Sequence, residues 1–374
     1  MYKKIKICII LGTRPEIIKM APIIKECKKK NLNFFILHTN QHYSKNLDKI
    51  FFDNLGLSQP KYNLNISSST HGEETSKMLL EIEKVLIKEK PGIVLVEGDT
   101  NTVLAGALSA TKLHIKVGHI EAGLRSYSRE MPEEINRILV DLCSDYLFAP
   151  TKGAKEILLK EGISKNEIFV TGNTIVDSVY RNSELAERKS KFFKKLNLKK
   201  EKYFLLTLHR PENVDKKEKM KEIFEGLRLI HREFNLPIIF PIHPRTEKKL
   251  EEFNLRIPRG VKLIKPVGYL DFLKLESNAK LILTDSGGVQ EEACILKIPC
   301  VTLRDNTERP ETIEVGSNIL AGTNSQKILK STNKIINKKR NWENPFGDGK
   351  SGKRIINIVL NKYNSDKHWE KKDK

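Results

Sequence analysis

Short apolar runs alternate with amphipathic stretches along almost the whole chain, a pattern that predicts βα units built around parallel sheets. In the first half the strand-like runs fall at 5–11, 34–38, 93–97, 115–120, 146–149 and 168–171, each followed by helical periodicity or a polar loop. A lysine-rich helical connector around 183–200 separates these from a second series at 203–208, 237–241, 261–264, 281–284 and 299–303. Two doubly wound α/β domains follow. Near the C-terminus the turn-rich NPFGDGK precedes Ile355, Ile356, Ile358, Val359 and Leu360, which fit a final helix over 351–364.

A chain of 374 residues exceeds the roughly 250–300 at which one hydrophobic core stops growing, which suits two cores. No apolar run reaches the ~18 residues of a membrane span, and the N-terminus is not signal-like, so a soluble cytoplasmic protein is expected. The five cysteines are scattered and never spaced CxxC, which argues against a disulfide framework or a zinc site; no metal is expected. The formal charge of +20 raises the question of nucleic acid. Its lysines, however, interleave with glutamates, and the densest region, 184–202, lacks the aromatic spacing of a base-stacking platform. Solvated helix faces explain the charge, with neither nucleic acid nor membrane as partner.

Two glycine patterns are misleading. Gly347, Gly349 and Gly352 match GxGxxG, yet no strand precedes them and Asn344 stands where a P-loop needs its first glycine, so a helix-start turn is expected. The first βα loop, LGTRPE, has one glycine where a dinucleotide fold wants three, so bound NAD is not expected.

Ligands of open α/β sheets bind beyond the carboxyl ends of the strands. Those ends present Arg14, Gln41 with His42, Asp99 and Glu121 in the first series, and His209 with Arg210, His243 with Arg245, Asp285 with Ser286, and Arg304 in the second. Such a set suits an anionic substrate undergoing acid/base chemistry. Ser286-Gly287-Gly288, between a strand and a helix, reads either as a phosphate cradle at a helix N-terminus or as an ordinary N-cap and tight turn. Glu292 reads as a ribose acceptor or a first-turn acid, and Arg309 as a phosphate ligand or a surface ion pair.

The stretch HIEAGLRSYSREMPEEINR, 119–137, is densely charged. Pro132 suits the first position of a helix whose expected core stripe is Ile135, Ile138, Leu139 and Leu142. Glu133 reads as a catalytic acid or as a partner of Arg137 at i+4. Asp99 in DTNT reads as a catalytic acid or as the N-cap of a helix over 100–111. Glu121 at a strand end has no comparable bland explanation. His209 in TLHRPENV is placed to meet a leaving pyrophosphate, or stands at a helix start; Arg14 and Lys19 flank Pro15 at another.

In order along the chain, GTRPEIIKMAP, EGDTNTVLAGALSA, HIEAGLRS with PEEINR, TGNTIVDS, TLHRPENV, PIHPRT, TDSGGVQEEA and RDNTERPET together resemble UDP-N-acetylglucosamine 2-epimerases of the non-hydrolysing type, from Lys6 to about Leu360. The resemblance implies two Rossmann-like domains facing across a cleft (GT-B-like), the first spanning 1–175 and completed by a C-terminal helix in 355–374 that crosses back to it, the second spanning 176–354 and binding UDP. It implies a homodimer, no cofactor, and interconversion of UDP-N-acetylglucosamine and UDP-N-acetylmannosamine by loss and return of UDP. By motif, Asp99, Glu121, Glu133 and His209 match catalytic positions; Arg14 and Lys19 belong to the active site; Ser286, Gly287, Gly288, Glu292 and Arg309 bind UDP. Gln41, His42, Arg210 and His243 match the surroundings of an activating second UDP-sugar, although the segment 67–75 lacks an arginine found in several relatives. The competing expectations are a hydrolysing 2-epimerase that releases N-acetylmannosamine and UDP, and a GT-B glycosyltransferase.

Overall fold

Strand β1 (Lys6–Leu11) is buried from Ile7 onward, as a parallel strand covered on both faces requires. Around it lie β2 (Asn33–His38), β3 (Tyr62–Asn63), β4 (Ile93–Glu97), β5 (Lys116–Ile120), β6 (Tyr146–Ala149) and β7 (Ile168–Val170), all parallel, in the order β3-β2-β1-β4-β5-β6-β7. The second sheet contains β8 (Phe204–Thr207), β9 (Ile238–Pro241), β10 (Val261–Ile264), β11 (Leu281–Thr284), β12 (Cys300–Thr302) and β13 (Asn318–Leu320), in the order β10-β9-β8-β11-β12-β13. Every strand read from the apolar runs is present. β3 and β13 are not predicted, because Tyr-Asn and Asn-Ile-Leu, unlike the three-residue run Ile-Phe-Val of β7, are not uninterrupted apolar runs.

The computed structural model describes residues 5–40, 51–66 and 70–369. The chain divides into a first unit, Met1–Ser178 with Phe346–Lys374, and a second, Val179–Pro345. In each sheet the strand order reverses direction once, between β1 and β4 in the first and between β8 and β11 in the second. At these switch points neighbouring loops diverge and leave room for a ligand. Among the described residues no helix is long and apolar enough to cross a membrane.

The chain's last helix, Ser351–Trp369, belongs to the first unit. Gly347 and Gly349 take positive φ (113° and 77°) in the turn before it, and the N–H groups of Ser351 and Gly352 donate to the Asp177 carboxylate at 3.1 Å each. A Cβ on Gly352 would stand 2.8 Å from Cβ of Pro22, so this glycine lets the final helix press on the helix Arg14–Lys29. The GxGxxG match is therefore a turn and a helix contact.

The helix Pro132–Cys143 reverses the expected orientation. Leu139 and Leu142 are 42% and 62% exposed, whereas Glu134, Asn136, Arg137 and Asp141 are buried beside Val140. The reason is electrostatic: each inward charge meets a partner. His119, at the end of β5, places its ring nitrogens 2.6 Å from Asp141 Oδ1 and 2.9 Å from the Gly98 carbonyl. Asp141 Oδ2 accepts from the Gly123 N–H at 3.1 Å and lies 2.7 Å from Arg125, which in turn forks onto Glu161. Glu134 accepts from the main chain of Ser126 and Tyr127 and from Arg137 at 2.7–2.9 Å. Burial pushes its carboxyl up, but these donors outweigh it and hold it below the usual range. Much of the charge in 119–137 thus fastens one helix to the strand ends. Removing one member of such a buried network leaves the others unpaired, so Asp141→Ala should destabilise the first unit by about 3–5 kcal/mol, read as an earlier urea transition. An unchanged midpoint would show that the network contributes nothing to stability.

Candidate active site

The loop after β1 sets the geometry of the first unit's site. A Cβ on Gly12 would lie 2.2 and 2.3 Å from the hydroxyls of Thr102 and Thr39, so only glycine fits. Its N–H donates to Glu16 Oε2 at 2.6 Å, and the Thr100 hydroxyl donates to Oε1 at 2.7 Å. Burial nevertheless pushes the Glu16 carboxyl up to about 7, the hydrogen bonds opposing only in part. One turn later Lys19 directs its ammonium at two further carboxyls, 2.5 Å from Glu121 Oε2 and 3.2 Å from Glu97 Oε1. The other Glu121 oxygen accepts from Asn173 Nδ2 at 2.9 Å, and Asn173 is itself fixed by the Ile175 N–H.

Glu121 sits at φ 72°, in the left-handed region, where a side chain costs about 1–3 kcal/mol and persists only when its surroundings impose it. The two clamps on its carboxylate, Lys19 and Asn173, are those surroundings. Asp99 does not cap the following helix, Asn101–Lys112, whose N-cap is Thr100. Its carboxylate instead meets Arg137 at 2.5 Å, while its carbonyl accepts from Asn136. Arg137 therefore serves Asp99 and Glu134, and Glu133 is half-buried in the first turn of its helix. Arg14 opens the helix Arg14–Lys29 with its guanidinium 5.7 Å from the ring centre of Phe51.

The sequence reading had Lys19, Asp99 and Glu121 but not Glu16, Glu97 or Asn173. Glu97 left a legible sign: it is the lone acid ending the otherwise apolar, fully buried run IVLVE. Gln41 and His42 lie outside the described residues.

In the second unit the switch point between β8 and β11 holds His209 and Asp285. Asp285 is fully buried and accepts from the N–H groups of His209 and Arg210 at 2.9–3.2 Å, with His209 Nδ1 at 3.1 Å. Burial raises its proton affinity, yet these contacts, the His209 ring foremost, win and keep it ionised below the usual range. A carboxylate bound at Nδ1 fixes the orientation of the ring and leaves Nε2 for other work. The His243 ring lies 5.7 Å from that of His209; burial, then His209 and Arg245, push it below the usual histidine range. His243 also caps the helix Pro244–Glu252, its Nδ1 accepting from the Arg245 N–H.

Ser286 stands at the N-cap of the helix Gly287–Ile295 but makes no side-chain cap, so the ordinary-cap reading fails. A Cβ on Gly287 would lie 2.8 Å from Glu308, whereas one on Gly288 would meet the Ser286 hydroxyl only at 4.0 Å. The main-chain N–H groups of this helix start, with its dipole, are of the kind that can receive an anion. Around it, Glu308 holds Arg210 at 3.1 Å and Arg304 at 2.9 Å, and Glu291 holds Arg309 at 2.8 Å. The Arg309 pair is buried and not on the surface. Burial works against ionised Glu308, but Arg309, Arg304 and Arg210 together hold it at about 2. Glu292 accepts from the Tyr269 hydroxyl at 3.1 Å. Beside it, burial first and Glu292 second push the wholly buried Glu276 well above the usual range. Nothing in the sequence marked Glu276.

The UDP-N-acetylglucosamine 2-epimerase family matches residues 25–360 of the chain. A UDP-N-acetylglucosamine 2-epimerase of Methanocaldococcus jannaschii is 63% identical over 361 residues, 95% of this chain and 98% of that one. The chain belongs to this family. A second epimerase so named, from Methanococcus maripaludis, is 60% identical over 361 residues, again 95% of this chain and 98% of the relative. The crystal structure of the Methanocaldococcus jannaschii enzyme in complex with UDP-GlcNAc and UDP superposes with a TM-score of 0.88 at 63% identity, covering 95% of this chain and 99% of that one. Both parallel-sheet domains of the epimerase family are therefore present.

Glu16 gives this epimerase-family site a pH signature. Its carboxyl titrates near 7 folded against an ordinary 4.5, so between those values the folded state binds more protons than the unfolded. The contribution to stability is full below the lower value and is lost as pH rises towards the higher. Glu16→Gln can still accept from Gly12 and can donate to Thr100. It should gain ~3 kcal/mol on the wild type across that interval, measured by denaturation at each pH. Parallel stability curves for the two proteins would contradict the burial argument.

Proposed function

We propose that the protein interconverts UDP-N-acetylglucosamine and UDP-N-acetylmannosamine at C2, eliminating UDP to a 2-acetamidoglucal and adding it back. The reading is carried by the family's carboxylate set as it stands here: Glu121, strained and clamped by Lys19, beside Asp99 on the next strand end. Direct removal of the weakly acidic C2 hydrogen is poorly driven. If a base takes that proton while the C1–O bond to the diphosphate breaks, the C–H electrons become a C1=C2 double bond and UDP leaves with its electron pair. Return of UDP to C1, with a proton delivered to the opposite face of C2, inverts the centre. The sequence of steps is redox-neutral.

Two acid/base groups with separated proton affinities suit this path. Glu121 is buried against an ammonium, and Asp99 is 31% exposed beside Arg137, so their environments differ. We assign them as the acid/base pair, with Glu133 as a third participant. His209, held by Asp285, and Arg14 stabilise the departing diphosphate, since preorganised donors act where charge develops. The N–H groups at Ser286, Gly287 and Gly288 take the diphosphate, Glu292 the ribose hydroxyls, and Arg309 the phosphates. A second, activating UDP-sugar has less support, because Arg210 is held by Glu308 and His243 caps a helix.

The apolar residues displaced from the core suggest the assembly. Leu80 and Ile87 on the helix His71–Glu89 are 58% and 54% exposed, and Leu139 and Leu142 lie outward two helices along the same face. A homodimer that covers this face accounts for them. All five thiols are free and four are buried, which suits a reducing cytoplasm.

Incubation with UDP-N-acetylglucosamine in D₂O should place deuterium at C2 of both intact UDP-sugars, read by NMR. Free N-acetylmannosamine would indicate hydrolysis instead, and an unlabelled, unchanged substrate would exclude both. Asp99→Asn and Glu121→Gln should each slow exchange by roughly 10²- to 10⁴-fold. For the assembly, Leu80→Glu combined with Leu142→Glu should convert a sedimenting dimer to monomer; a monomeric wild type would overturn that assignment.

A further inference from the structure

Three carboxyls, Glu16, Glu97 and Glu121, share the ground around one ammonium, Lys19, and all three are buried. A single cation cannot neutralise them, and unpaired buried charge is the most expensive arrangement available. The proton belongs where hydrogen-bond donors are fewest. Glu121 has Lys19 at 2.5 Å and the Asn173 amide at 2.9 Å. Glu16 has the Gly12 N–H and the Thr100 hydroxyl. Glu97 is different. Lys19 stands 3.2 Å from its Oε1 without hydrogen-bonding geometry, and its other neighbour is the Glu121 carboxylate itself.

Backbone structure holds this pair together. Glu97 ends β4 opposite Ile120 in the parallel register, and the Gly98 N–H donates to the Ile120 carbonyl at 3.1 Å, so Glu97 and Glu121 project from adjoining strand ends. We propose that Glu97 is a positioning residue for the epimerisation: a neutral carboxylic acid that donates its proton in a hydrogen bond to Glu121 and so fixes the aim and basicity of that carboxylate. Burial pushes the Glu97 carboxyl well above the usual range; Lys19 opposes, and Glu121 and Glu16 add to the rise. With Glu97 neutral, the Glu121 carboxylate and Lys19 ammonium form a balanced pair. Were Glu97 to ionise, two carboxylates would compete for Lys19 and Glu121 would lose its clamp. The titratable and charged groups facing Glu97 are Glu16 and Lys19 from the helix Arg14–Lys29 and Glu121 from beyond β5.

The role rests on the epimerisation reading, but one of its tests needs no turnover. In the infrared difference spectrum between wild type and Glu97→Gln at neutral pH, without substrate, the wild type should show the carbonyl band of a protonated carboxyl that the variant lacks. With substrate, Glu97→Ala should lower kcat by about 10²-fold, the scale of a displaced reacting group, with kcat and kcat/KM falling together. Glu97→Gln keeps an N–H donor towards Glu121 and should recover most of that loss. The wild type should also lose activity on an alkaline limb, as Glu97 ionises, that is absent from Glu97→Gln. A spectrum without the difference band, or alkaline limbs that superimpose, would overturn the proposal. Absence of epimerisation in the wild type with the band present would defeat the functional reading and leave the protonated Glu97 standing.

Discussion

One ammonium among buried carboxyls governs the first unit. Lys19 sits between Glu97 and Glu121, with Glu16 close to Glu97, and the energetic penalty for buried charge explains features that otherwise look unrelated. Gly12 has no side chain because its N–H must reach Glu16 between two threonine hydroxyls. Glu121 tolerates a left-handed backbone because two donors hold its carboxylate in place. The helix that follows turns its charged face inward because Arg137 and Asp141 find partners there, and its leucines are left outside. Strain and inverted burial both follow from satisfying these charges.

The second unit applies the opposite polarity. Carboxylates are again buried, but here two of them are outnumbered by donors: Asp285 by two main-chain N–H groups and a histidine, Glu308 by arginines. Asp285 is held below the usual range and Glu308 at about 2. The result is a set of fixed cations and main-chain donors that need not reorganise when an anion arrives. Around Lys19 protons are retained on Glu16 and Glu97; at Asp285 and Glu308 they are driven off. The proposed acid/base chemistry would need the former, and the proposed diphosphate site the latter.

How much of this the sequence revealed depended on the scale of each signal. Strands lying in an apolar run were legible, down to the three residues of β7 and β12; β3 and β13, broken by Asn63 and Asn318, wrote no such run. Glu121 was legible because a carboxylate at a strand end has few structural explanations, whereas Lys19, inside the helix Arg14–Lys29, and His209 each also read as helix-start residues and gained weight only with the family motifs. Glu97 was less legible, since a terminal strand residue counts as structure until its neighbours are known. Asn173 and Glu276 act through contacts 52 and 16 residues away along the chain, and no local pattern records such pairings. The error on Pro132–Cys143 is the most instructive. Apolar periodicity identifies a helix and its stripe, but it cannot say whether the stripe faces the core of its own chain when the opposite face carries a complete set of ion pairs.

That inversion connects stability to chemistry. A helix held by apolar packing could slide by small amounts at little cost, whereas one held by Arg137 on Asp99 and by Asp141 on His119 is fixed relative to the ends of β4 and β5. Those are the ends that carry Glu97, Asp99 and Glu121. Position matters most where a proton must move between a carboxylate and carbon, since a displacement of about 1 Å can cost 10²-fold in rate. Charged anchoring on the inner face serves that demand, and the outward leucines follow from it. The exposure of Leu139 and Leu142 is thus a consequence of how the inner face is anchored.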